Sequence, residues 1–121
     1  MTMESDLTTV LKAVNTKVFP DLAPAGTVAP WITYQHIGGQ SLQYLDGTAA
    51  DKRQTMIQIN AWAGSRLQAL ALIRQIEAAV CNLAATPFTA QPMGEPISTF
   101  EADVTPMLYG CMQDFWIVST R

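Results

Sequence analysis

The chain has 121 residues, a length that fits one domain able to bury about two thirds of its unfolded surface. Hydrophobic residues make up 49% and charged residues only 14%, against a usual charged share of about 25%; such a surface is easily desolvated, a first hint of self-assembly. The net charge is −3 with seven basic residues spread thinly, which argues against sequence-independent nucleic-acid binding and against a basic membrane-surface helix.

The start, Met1 to Asp6, is acidic and lacks the apolar stretch of a secretory signal. No apolar run approaches the ~20 residues of a membrane span. A first helix is expected from about Asp6 to Val18, capped by Ser5, with Leu7, Val10, Leu11, Val14 and Val18 in one apolar stripe. Residues 20–30 hold three prolines and a glycine and read as irregular, extended chain. A strand follows from Trp31 to Ile37, stopped by Gly38-Gly39.

Residues 38–53 read as a long loop with a turn signal at Asp46-Gly47. The second strand, Gln54 to Ala63, alternates cleanly. Thr55, Ile57, Ile59 and Ala61 share one face, and Met56, Gln58, Asn60 and Trp62 the other, the pattern of a half-exposed antiparallel sheet. Ser65 caps a second helix, about Arg66 to Leu83. Its wide apolar face (Ala69, Leu72, Ile73, Ile76, Ala79, Val80, Leu83) belongs on the sheet. A thinner second stripe, Leu67, Leu70, Ala71, Ala78 and Cys81, is broken only by Arg74. A helix apolar on two sides is covered on two sides, here by the first helix or by a neighbouring subunit.

Residues 84–96 form a second proline-rich loop. The third strand is expected over Ile97 to Val104, a turn over Thr105 to Gly110, and the last strand over Cys111 to Ser119. Both faces of that last strand are largely apolar, so it is central or its outer face is covered. The expected fold is α+β: a mainly antiparallel four- or five-stranded sheet with two helices on one face, in the order α-β-β-α-β-β, forming one domain over residues 1–121.

No constellation for catalysis stands out. His36 is the sole histidine, which excludes multi-histidine metal sites, and reads as an ordinary sheet residue. Cys81 and Cys111 lack motif spacing and read as buried thiols in a reducing compartment, although spacing alone does not exclude a disulfide. Asp46 and Asp51 share the long loop without the ligand density of a calcium site; Glu101 and Asp103 share a strand face. Of the three tryptophans, Trp62 sits among the polar neighbours Gln58 and Asn60, which makes it a candidate interface anchor. No metal, cofactor or catalytic residue is expected.

Several segments together resemble the small tail-terminator, or tail-completion, proteins of long-tailed bacteriophages and prophages, also called head–tail joining proteins. The Pro-led aromatic strand VAPWITYQHIGG, the strand-to-helix piece TMIQINAWAGSRLQALALIRQIEAAV and the closing FEADVTPMLYGCMQDFWIVST carry the likeness. The resemblance implies a non-enzymatic structural protein of the virion tail, assembled in the host cytoplasm. It implies a ring, expected to be hexameric, that caps the tail tube and meets the head connector or stopper. Under it, the candidate interface residues are Leu67, Leu70, Arg74 and Ala78 of the second helix, Trp62, and Gln40, Tyr44, Lys52 and Arg53 of the long loop. The alternatives are a small-molecule-binding regulatory module with a pocket lined by Tyr34, Trp62 and Met56, an enzyme of unknown type, and another neck protein, an adaptor or stopper.

Overall fold

The computed structural model describes residues 3–24, 26–40, 52–82, 88–101 and 108–120. The elements in chain order are α1 (Met3–Val14), β1 (Val18–Pro20), β2 (Trp31–Gln40), β3 (Lys52–Ala63), α2 (Arg66–Val80), β4 (Thr89–Pro92), β5 (Ile97–Glu101) and β6 (Leu108–Thr120).

α1 starts three residues before the expected position, so Ser5 lies in its first turn rather than at its cap; the Ser5 carbonyl accepts the Thr9 hydroxyl at 3.1 Å. The helix also ends early, at Val14. The Asn15 side chain accepts the Lys17 N–H at 2.8 Å, a local bond that competes with continued helix. The next residues are then free to pair. Lys17 accepts the Ile32 N–H at 2.8 Å, and Val18 to Pro20 run parallel to Ile32 to Tyr34 as β1. Val18 is therefore a strand residue, although it continues the helical stripe. Asp21, at φ 62°, turns the chain away.

α2 begins as expected. Ser65 is extended, and its hydroxyl accepts the Gln68 N–H at 3.3 Å. The helix closes at Val80 rather than Leu83, with the Cys81 N–H on the Glu77 carbonyl at 3.0 Å.

The sheet has six strands among the described residues, in the order β1-β2-β3-β6-β4, with β5 also on β6. It is mixed: β1–β2 is parallel and every other pair is antiparallel. The expected four or five antiparallel strands thus miss β1 and β4, both short and both inside proline-containing segments. β4 and β5 occupy the same flank of β6, opposite Phe115–Val118 and Leu108–Met112 respectively. Between them Met93 donates to the Asp114 carbonyl and Gln113 Nε2 to the Gly94 carbonyl, both at 2.9 Å. β4 and β5 therefore act as one interrupted edge strand. β6 is central, between β3 and this edge, and already contains Leu108, Tyr109 and Gly110, where the sequence pattern predicts a turn.

Both helices lie on one face of the sheet. Ile57, Ile59, Ala61 and Ala63 of β3, Cys111, Phe115 and Ile117 of β6, and Ile32 and Tyr34 of β2 face them. Leu7 and Leu11 of α1 and Ala69, Leu72, Ile73, Ile76 and Val80 of α2 close this core. The alternation read in β3 is the one observed, with Thr55 buried as well. Burial of a whole aliphatic side chain contributes about 1.5–3 kcal/mol, so this layer dominates the stability of the fold. Replacing Ser65 by Ala removes the α2 cap without touching the core; a loss of about 1 kcal/mol is expected in urea unfolding, with unchanged secondary structure by circular dichroism.

Candidate functional site

The face of the sheet opposite the helices is built from the alternate residues of the same strands. Cross-strand register arranges them in rows. The first row is Trp31, Trp62, Gly110 and Thr99; the second is Thr33, Asn60, Met112 and Ile97; the third is Gln35, Gln58 and Asp114; the fourth is Met56, Trp116 and Gln91. Among the described elements, none packs on this face.

Trp62 is half-buried here. Its ring stacks on Trp31, with centroids 6.5 Å apart and planes at 30°. It lies directly over Gly110, where an added Cβ would come within 2.9 Å of the indole. Glycine at 110 thus gives the Trp62 ring its seat, and Trp31 is its buried neighbour. Asp114 is the one carboxylate in these four rows; the rest is Gln, Asn, Thr, Met, Ile, Trp and Gly. The face is therefore poor in charge and rich in large side chains, the composition of an interface core.

The second stripe of α2 divides in two. Leu70 and Cys81 are half-buried against the core. Leu67, Ala71, Arg74 and Ala78 are exposed, Leu67 at 78%. α1 packs beside α2, yet these four residues form an outward row with no cover among the described residues. Cys81 is thus not fully buried as expected, and burial together with the Glu77 charge pushes its thiol pKa up. Both cysteines are free thiols.

Tyr34 stands on the helix-bearing face, its hydroxyl donating to Glu4 Oε1 at 3.2 Å and lying 3.3 Å from the Thr8 hydroxyl. Burial raises its pKa, and the Glu4 carboxylate adds to the shift. Trp62 and Met56 are on the opposite face, so the three residues do not line one pocket. Depressions among the described residues include a shallow polar one beside α1 (Glu4, Thr8, Lys12, Tyr34) and one at the β4–β5 junction (Gln58, Gly94, Met112, Gln113). His36 is exposed at the sheet edge. Among the described residues there is no cluster of three or more His, Cys, Asp or Glu placed to hold a metal ion, and no helix is long and apolar enough to cross a membrane. Of the long-loop candidates, Gln40 closes β2 and Lys52 and Arg53 open β3; Tyr44, Asp46 and Asp51 lie outside the described residues, as does Asp103.

A family model described as tail completion protein gp17 matches residues 3–97. The match runs from α1 to the first residue of β5; β6 lies beyond it. No curated protein matches the chain.

Gly110→Ala is expected to displace the Trp62 ring. It should cost about 1–3 kcal/mol, as overpacking does, and should shift the tryptophan fluorescence. An unchanged spectrum and unchanged stability would contradict the packing of Trp62 on Gly110.

Proposed function

The chain belongs to the tail completion protein gp17 family of bacteriophage tail structural proteins, and from that premise we propose that it completes the tail as a ring of identical subunits. The ring, six-membered in this reading, sits on the end of the tail tube, stops its growth and presents a surface to the head connector or stopper. The chain acts by contact rather than by catalysis, and assembles in the host cytoplasm before residing in the virion tail.

The observation that carries the ring is the outward row of α2. Leu67, Ala71 and Ala78 are exposed apolar side chains interrupted only by Arg74, in a chain with 14% charged residues. A ring requires each subunit to offer two different surfaces in a heterologous contact that closes. This row is one such surface and a sheet edge is the other. Gln40, Tyr44, Lys52 and Arg53 are, in this reading, contact residues toward the tube or a neighbouring subunit. Trp62, on the open sheet face, faces the tail tube or the connector. Family membership favours tail completion over the adaptor and stopper roles. The split of Tyr34 from Trp62 and Met56 removes the pocket on which a metabolite-binding module would depend.

The test replaces Leu67 and Ala78 with Glu. Both are exposed, so the fold stays intact; Leu70 is unsuitable because it also packs on the core. The double variant should keep its thermal midpoint within a few degrees, lose ring formation in solution and on tail tubes, and lose control of tail length. Rings and tails of normal length would show that α2 is not the contact surface.

A further inference from the structure

The two lateral edges of the sheet differ in how far they are covered among the described residues. At one edge, β1 covers β2 only from Ile32 to Tyr34, and Asp21 then turns away. Gln35 to Gln40 pair with β3 on one side and have no strand on the other among the described residues. Ile32 and Tyr34 direct their backbone groups to the β1 side, as the bonds Ile32 N to Lys17 O and Asp21 N to Tyr34 O record. By alternation His36 points the same way, and beyond the irregularity between His36 and Gly38, so does Gly39.

At the opposite edge, Met93 N–H bonds to Asp114 O, so the even-numbered residues of β6 face β4 and β5. Ile97, Thr99 and Glu101 then bond to β6 opposite Met112, Gly110 and Leu108, and the backbone groups of Ser98 and Phe100 point outward. β4 and the junction before β5 carry Pro92 and Pro96, the usual blocks against edge pairing. β5 itself carries none. Its Ile97 and Phe100 side chains are 63% and 58% exposed, and Ile37 across the molecule is exposed as well.

We propose that β5 of one subunit pairs antiparallel with the Gln35–Gln40 segment of β2 in the next copy, so that the sheets run on from subunit to subunit. This pairing rests on the ring reading above, but it places a sheet edge on both sides of the contact in place of the α2 row against one edge. Strand directions alternate across β2, β3, β6 and β5, so a neighbour in the same orientation brings β2 beside β5 with opposite sense. β5 then lies end to end with the neighbour's β1 along a single β2, without overlap. Backbone N–H and C=O groups at His36 and Gly39 meet those at Ser98 and Phe100, the chemistry of strand addition.

The offset this requires is itself informative. Thr99 is level with Trp62 of β3, and the free β2 segment is centred level with Met56. The shift is about 20 Å at ~3.4 Å per residue, over four strands at ~4.8 Å, or about 19 Å. Strands then tilt by roughly 45° to the ring axis, within the inclination at which sheets close into barrels. The stagger of the two edges is thus compatible with a closed ring.

The experiment uses His36→Pro and Ser98→Pro. Each removes an outward N–H and leaves the intramolecular ladder intact, a position where an edge strand tolerates proline. Phe100→Pro and Gly39→Pro report on the same two edges if either first variant fails a circular-dichroism check. Each variant alone should assemble at least tenfold more weakly than the wild type in analytical ultracentrifugation and on tail tubes. An equimolar mixture should form 1:1 dimers and no rings, because only one good edge of each kind remains. Rings from both variants would overturn the pairing and leave the ring reading standing. A wild type that forms no ring on tail tubes would overturn the ring reading and the pairing together.

Discussion

The longest ladder in the sheet joins β3 to β6, in unbroken register from Lys52 opposite Thr120 to Ala63 opposite Tyr109. Every other element takes its place from this pair. β3 passes through Gly64-Ser65 directly into α2, so the helix is delivered onto the face that Ile57, Ile59 and Ala61 share with Phe115 and Ile117. β2 joins the far side of β3, and β1 and α1 follow it. β4 and β5 join the far side of β6. The strict alternation of β3 is what makes this possible, since a one-residue slip would turn Ile57 and Ile59 outward and Gln58 and Asn60 into the core.

The same alternation divides the molecule into a packed half and a contact half. The helix-bearing face satisfies its apolar side chains internally. The opposite face repeats large side chains, Trp62, Met56, Met112 and Trp116, with few charges, and α2 carries its own uncovered row on the outside. A chain this poor in charge has little to keep such surfaces apart. The strand edges give these surfaces direction: proline and a broken strand guard β4, whereas β5 and the end of β2 have no further strand partner among the described residues.

The strand-to-helix unit was legible in the sequence because two strong signals agree there, period two in Thr55 to Ala63 and a serine cap before a helical stripe. The central place of β6 was equally readable, since both of its faces are largely apolar. The end of α1 was not, because Val18 continues the helical spacing while a single Asn15-to-Lys17 bond redirects the chain. β1 and β4, at three and four residues, are too short for periodicity and sit among prolines; only their partners make them strands. For the candidate surfaces, the second stripe of α2 could be seen but not divided. Leu70 and Cys81 turn inward because of how the helix seats on the sheet. The Trp31–Trp62 stack depends on cross-strand register and on Gly110, a relation between three distant segments that no local pattern contains.

The ring at the tail end is the claim on which the functional account stands. Tail length in particles assembled without this chain, measured by electron microscopy, tests it most directly. The account predicts tubes that overrun their normal length and fail to join heads, with both defects repaired by adding back the wild-type protein. Tubes of normal length joined to heads in its absence would contradict it.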